Sequence, residues 1–231
     1  MNKVKDGRIG FDISAAVLAL GLKCTVFTLE NLRNKESDRE FEKIKAQVTK
    51  DILAVLSLEK IVTDPILQGF RQLHGTVKPP NRHDLSSPEN LLGVLLRTGR
   101  LPHVNLLVDI YNLISIKTRL SLGAHDVATI QGNVHLRLTS GDERFWPLGS
   151  RALKPVEPGE YAYVDDRNDI LCRLEVRQSE KTKITLGTTN CLYIVQGNAA
   201  TDRAYLRAAS EELIALTKRF CGGEERMLHS P

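Results

Sequence analysis

Leu101–Asp126 reads LPHVNLLVDIYNLISIKTRLSLGAHD, and this stretch decides how the chain divides. Leu101-Pro102 restarts the chain after Gly99, a residue suited to cap the end of a helix. From Leu106 to Ile116 the run is apolar, with Leu107, Ile110, Tyr111 and Ile114 on one side, which predicts a helix. His125-Asp126 reads as a turn, since neighbours of that kind rarely form a catalytic pair alone. Before this stretch the apolar residues keep helical spacing. After it they alternate as strands do. Helices, then an antiparallel-looking meander, then a last helix make the expected class α+β: a mixed or antiparallel sheet with packed helices, not a doubly wound one.

Working outward, Ile9 to Leu20 and Lys23 to Leu29 read as two short strands broken at Gly21. From Asp38 to about Leu58, Phe41, Ile44, Val48, Ile52 and Val55 make one helical stripe. Asp64 caps a helix that starts at Pro65 and runs to Leu73. Gly75 to Ser86, with Pro79-Pro80, reads as loop. Ser87-Pro88-Glu89 opens a helix, with Ser87 as its cap, that ends at Gly99. Downstream, Val134 to Leu138 alternates strictly. Pro158-Gly159 and Asp165 to Asp169 are turns around the strand Tyr161 to Val164. Ile170 to Val176 and Asn190 to Gln196 are further strands. A helix from about Asp202 to Phe220 stops at Gly222-Gly223. The expected organisation is residues 1–63 as a strand-helix segment packed on the main module, 64–223 as that module, and 224–231 as a tail.

Several chemistries are excluded by absent patterns. There is no G-x-x-x-x-G-K-[ST], no G-x-G-x-x-G after a strand, no H-E-x-x-H and no G-x-S-x-G. The four cysteines, Cys24, Cys172, Cys191 and Cys221, form no C-x-x-C pair and have no histidine at ligand spacing. No metal and no cofactor is therefore expected. Four cysteines in this length, no cleavable leader and no apolar run near the roughly 18 residues of a span give a reduced, cytoplasmic expectation with no membrane partner.

The net charge of the 231 residues is +4. It is unevenly spread. Between Pro65 and Leu120 seven Lys/Arg (Arg71, Lys78, Arg82, Arg97, Arg100, Lys117, Arg119) face three acids (Asp84, Glu89, Asp109), an excess equal to that of the whole chain. A second cluster holds Arg167, Arg173, Arg177, Lys181 and Lys183 against Asp169, Glu175 and Glu180. Each reads either as solvated surface or, beside a cleft, as a track for a polyanion.

Leu101–Asp126 also resembles a core motif of the tRNA-editing module of the phenylalanyl-tRNA synthetase beta subunit, where a V-D-x-x-N helix leads to a short loop ending in Asp. Further stretches are similar to free-standing proteins built from that module: SSPENLLGVLLRTGRLP (86–102), GNVHLRLTSGDERFWPLG (132–149), EPGEYAYVDD (157–166) and CRLEVRQSEKTKIT (172–185) followed by TTN (188–190). The resemblance covers roughly Asp64 to Gly223. It implies a mixed α/β fold with a pocket between sheet and helices, and hydrolysis of a mischarged aminoacyl ester on tRNA. It also implies roles. Asn112 matches the pocket Asn and is the candidate catalytic residue. Asp109 and Asp126 match flanking acids with structural roles, Asp109 buried and hydrogen-bonded, Asp126 as a loop or cap acceptor. The family's pocket Thr is Tyr111 here, its pocket His falls on Gly123, and its hydroxyl-sensing acid falls near Tyr193. Those departures remove the polar partner on which selection of a tyrosine hydroxyl depends.

Ester hydrolysis needs a positioned water and donors for the developing oxyanion. Arg173 and Arg177, four apart in an expected extended strand, point to one face and suit an anion, or else pair with nearby acids such as Glu175. Thr182 and Thr185 belong to a hydroxyl-rich loop. With Arg97, Arg100, Lys117 and Arg119 they complete the candidate substrate or RNA contacts. Trp146 reads as core or as a base-stacking surface. Two functions follow: a trans-acting deacylase of mischarged tRNA, or a non-catalytic module binding RNA or an amino-acid-like small molecule. The first expects Asn112, Arg173 and Arg177 on one cavity beside a basic track. The second expects only one of the two features.

Overall fold

The computed structural model describes residues 9–77 and 85–231. Its elements are, in order, β1 (Phe11–Ile13), α1 (Ala15–Leu18), β2 (Lys23–Glu30), α2 (Arg39–Val55), α3 (Leu58–Thr63), α4 (Pro65–Val77), α5 (Ser87–Thr98) and α6 (Leu106–Thr118). There follow β3 (Ser121–Asp126), β4 (Val134–Leu138), β5 (Tyr161–Asp165), β6 (Ile170–Arg173), β7 (Arg177–Gln178), β8 (Cys191–Gly197), α7 (Arg203–Cys221) and β9 (Glu224–His229). The fold is α+β. The strands form a five-stranded sheet, β1-β4-β5-β6-β7, and a four-stranded sheet, β3-β8-β2-β9.

The four-stranded sheet is the middle layer. Its two central strands, KCTVFTLE and CLYIVQG, are buried almost throughout. Strand periodicity sends alternate side chains to opposite faces. Phe27, Leu29, Tyr193 and Val195 join the core shared with α6 and α7. Cys24, Val26, Leu192 and Ile194 join a second core with Val134, Leu136, Tyr161 and Tyr163 of the other sheet. Burial on both faces explains why these strands read as continuous apolar runs.

Helix α6 is buried on nearly every side, between β3, α5, α7 and α2. Asn105 caps it by accepting from the Val108 N–H at 3.2 Å. Ile110, Leu113, Ile114 and Ile116 are at most 2% exposed, and burying each contributes about 1.5–3 kcal/mol.

Several expectations are corrected. The Ile9–Leu20 strand is only β1; Ser14 then caps the short helix α1 by accepting from the Val17 N–H. β4, β5, β6 and β7 form the expected antiparallel meander, and β1 joins its edge in parallel with β4, which makes the sheet mixed. His125-Asp126 is the end of β3, not a turn, because β3 pairs with β8 through Asp126↔Cys191. Helix α4 continues to Val77, through Gly75. Position Ser86, not Ser87, is the N-cap of α5. The expected tail carries β9, which pairs with β2. Gly222 and Gly223 turn the chain back into that strand. A Cβ at Gly223 would meet the Glu30 carbonyl at 3.0 Å and Leu32 at 2.8 Å, and its φ is +100°, so only glycine fits. The segment before residue 64 likewise supplies a strand to each sheet.

The strand expected over Ile170–Val176 breaks. Leu174 and Glu175 take φ of 51° and 45°, and the chain folds back as the β6–β7 hairpin, with Arg173 opposite Arg177. Left-handed backbone at non-glycine residues is unfavourable. It is retained here because the Glu175 carboxylate is anchored inward, as shown below.

Candidate functional site

A cavity of about 310 Å³ opens at the β3 edge of the four-stranded sheet, between α6 and the β6–β7 hairpin. Val108, Tyr111 and Asn112 reach it from α6, spaced three and four apart on one helix face. Ser121, Gly123 and His125 reach it from β3, at the two-residue period of one strand face. Register sets Gln196 opposite Ser121 and Ile194 opposite Gly123. Tyr163, Cys172, Glu175, Arg177 and Gln178 complete the wall.

Glu175 is the most constrained group. One oxygen lies 2.5 Å from His74 Nε2. The other accepts from the Tyr161 hydroxyl and, at 3.0 Å, from Gln196 Nε2. Gln196 in turn accepts from the Tyr163 hydroxyl at 2.6 Å. Burial first, and the neighbouring Glu175 charge second, hold the Tyr161 phenol well above its ordinary value, so it remains a donor. This chain of bonds pins α4, the hairpin, β5 and β8 together at the cavity floor.

The other groups are nearly inert as acids. His125 is buried with Nδ1 2.8 Å from Thr182 Oγ1, and burial pulls its pKa down to about 3. The ring is neutral at physiological pH. Burial pushes the Cys172 thiol up to about 12, which makes it a poor nucleophile. Burial likewise raises the Tyr111 phenol.

Asn112 is different. It is 9% exposed, lines the cavity, and its amide makes no hydrogen bond to any described residue. Buried polar groups are normally paired. An amide left open toward a cavity is available to a ligand.

The expected site residues divide accordingly. Asn112, Tyr111, Gly123 and Arg177 meet at the cavity. Arg173 does not reach it. Arg173 lies 3.1 Å from Glu160 and over the Phe145 ring, in a neighbouring groove that Arg177 also lines. The two arginines share a face as partners across a hairpin, not as residues along one strand. Thr182 is buried against His125, and Thr185 is an exposed residue bonded to Thr188. Asp126 accepts from the Ala128 N–H and from Thr188 Oγ1. Tyr193 stacks on Phe27 on the helical face of β8, away from the cavity. Trp146 is 41% exposed and donates to the Ser150 carbonyl.

None of the described cations of the basic window lines the cavity. Arg71 pairs with Glu89, Lys117 with Glu212 and Arg119 with Asp64. Arg97 and Arg100 are exposed and line no part of the cavity. Lys78, Arg82, His83 and Asp84 lie outside the described residues. Asp109 is buried and accepts from Lys45 Nζ and the Val104 N–H, with His103 Nδ1 at 2.7 Å. Glu42, His103 and Asp109 converge as a metal could require, but the Lys45 ammonium already bridges Glu42 and Asp109 at 2.7 and 2.8 Å.

The B3/4 domain family matches residues 76–222, the region that supplies almost the entire cavity wall. The chain belongs to the B3/4 domain family. The phenylalanine–tRNA ligase beta subunit of Mycoplasma genitalium is 30% identical over 122 residues, 52% of this chain and 14% of that subunit. The chain thus spans a small part of that relative. An N-terminal fragment of the phenylalanyl-tRNA synthetase beta subunit from Pyrococcus horikoshii aligns over 98% of this chain and 52% of its own, at 11% identity and a TM-score of 0.49.

Glu175, Gln196, Tyr163, His125 and Gln178 escaped the sequence reading of this B3/4 domain. Glu175 left one signal, a lone acid inside the apolar run ILCRLEV. His125, Tyr163 and Gln178 lie within the family-like stretches but carried no role there, and Gln196 sits in a strand outside them. No helix among the described residues of the B3/4 domain is long and apolar enough to cross a membrane.

Proposed function

We propose that the cavity receives the aminoacylated 3′ end of a tRNA or similar RNA and hydrolyses its ester in trans. The observation that carries this reading is the Asn112 amide, nearly buried, lining the cavity and bonded to no described residue. Family membership and the related beta subunit, a tRNA ligase component, support the choice of ligand. In the reaction, water adds to the ester carbonyl, the acyl–oxygen bond breaks, and the departing ribose oxygen takes a proton. Asn112 orients the ester and donates to the carbonyl oxygen as charge develops there. The room left at Gly123 admits a side chain that the family's histidine would exclude. Selectivity for a tyrosine hydroxyl is not part of the proposal.

One observation favours a non-catalytic reading of the same cavity. His125, the histidine on its wall, is a very weak base engaged with Thr182, and the Cys172 thiol stays protonated. Hydrolysis must then rest on positioning and on the ribose hydroxyl of the substrate. A binding module needs neither.

The test is deacylation of a panel of mischarged tRNAs by wild type and Asn112→Ala. The hydrolase reading expects one tRNA to be cleared and the variant to lose about 10²–10³-fold, the usual cost of an oxyanion donor. Deacylation no faster than without protein, for every tRNA, would sink it and leave the binding reading. Because the Asn112 amide bonds to no described residue, the variant should keep its stability to within about 1 kcal/mol.

A further inference from the structure

Beside the cavity runs a groove of about 400 Å³ formed by the 145–154 segment and the β6–β7 hairpin. The two share Leu148 and Arg177 as a common wall. Three cations line the groove: Lys154, Arg173 and Arg177. Glu160 lies 3.1 Å from Arg173. No carboxylate of the described residues lies at ion-pair distance from Lys154 or Arg177, and both are exposed.

Arg173 and Arg177 are direct register partners, and like charges directly opposite each other across a strand pair repel. Glu160 offsets one of them. The other is left facing the boundary between groove and cavity. The backbone that holds these groups is well anchored. Phe145 bridges to Lys154, Pro147 bridges to Ser179, and the Leu148 N–H donates to the Gln178 carbonyl at 2.8 Å. An anion bound here would meet placed cations and not a loop that must first be ordered.

We infer that the groove is a phosphate-binding subsite, in which Lys154 and Arg177 hold the phosphate next to the group that enters the cavity. This rests on the proposed function and deepens it. The RNA end would approach along the 145–154 segment. The described cations of the Pro65–Leu120 window, where the sequence placed the excess charge, would take no part. Guanidinium and ammonium groups are the usual phosphate partners, and Arg177 can serve both compartments because its side chain lines both. The shared chemistry is a phosphate ester, either the phosphodiester of an RNA end or the phosphate of a mononucleotide.

The test is binding of the full chain to a 5′-labelled RNA hairpin with four unpaired 3′ nucleotides ending in adenosine, followed by anisotropy across a salt series. AMP is titrated calorimetrically in parallel. The variants are Lys154→Ala/Arg177→Ala, the charge-preserving Lys154→Arg/Arg177→Lys, and Arg97→Ala/Arg100→Ala. The first should weaken hairpin binding at least tenfold and lower the slope of log K against log salt by about 0.7, the value for one lost single-strand phosphate contact. The charge-preserving pair should keep the slope, and the Arg97/Arg100 pair should match wild type. Wild-type binding by Lys154→Ala/Arg177→Ala would overturn the subsite and leave the RNA reading intact. AMP binding that this variant loses, with no hairpin binding by wild type, would support the subsite and sink the RNA reading. No binding of either ligand by wild type would overturn both.

Discussion

His74 of α4 and Glu175 of the β6–β7 turn meet at 2.5 Å although 101 residues separate them. Both are buried. The contact ties a helix outside the sheets to the hairpin that carries Arg177, so the cavity floor and its mouth are set by one carboxylate. Tyr161 and Gln196 complete the coordination of that carboxylate.

Truncating Glu175 therefore removes the acceptor for three buried groups at once. Glu175→Ala should lose at least about 3 kcal/mol, because it leaves three buried hydrogen-bonding groups without their acceptor at about 1–3 kcal/mol each. Urea denaturation measures it. Because Tyr161→Phe deletes one of the same bonds, the double variant should lose less than the sum of the single losses. Strict additivity would show that the network does not act as a unit.

Gly123 is expected to tolerate a side chain. A Cβ there meets no atom within 4 Å, and its φ is not in the left-handed region. Gly123→Ala should stabilise the fold by about 0.4–1 kcal/mol through the unfolded chain's lost freedom. Gly123→His should fold equally well and occupy cavity volume, so ligand affinity measured by calorimetry should fall. Loss of folding in Gly123→Ala would mean that the space is not open.

Acid should act through His125. Burial lowers its folded pKa to about 3, so below about pH 6.5 the unfolded chain binds the proton that the folded chain refuses. Stability present above that value is lost as pH falls toward 3, at up to about 1.4 kcal/mol per pH unit. His125→Asn should flatten this part of the stability profile. An unchanged acid slope in the variant would place the sensitivity elsewhere.

His135 works in the opposite sense. Burial of the ring disfavours its charge, but the hydrogen bonds it donates to Asp166 and Asp12, both at 2.6 Å, outweigh this and raise its pKa. Its contribution is fully present below about pH 6.5 and fades as pH rises through the raised folded value. The stability gap between wild type and His135→Ala should accordingly be larger at pH 6 than at pH 9.

Helices α2, α5 and α7 were legible because each carries its own stripe and caps: Asp38, Gly99 and Asp202 stand where the spacing places them. Strands β4, β5 and β8 were legible for the same local reason. The β6–β7 turn was not. Leu174 and Glu175 carry no turn signature, and their left-handed backbone is stabilised by His74, Tyr161 and Gln196, which are distant in sequence. The charge arithmetic misled for a related reason. Residue counts place seven cations in one window, but the partners Asp64 and Glu212 lie outside it and meet Arg119 and Lys117 only in the fold.

The sequence by itself determined the α+β class and the family resemblance and made Asn112 a candidate, because period, caps and a local motif are properties of neighbouring residues. Only the tertiary structure decided that Arg177 and not Arg173 faces the cavity. It alone paired β1 in parallel with β4, made residues 224–229 a strand, and left the Asn112 amide without a partner among the described residues. Hydrogen-bond satisfaction and charge pairing depend on which distant side chains come within about 3 Å, and that distance is set by packing two sheets and a helical layer together.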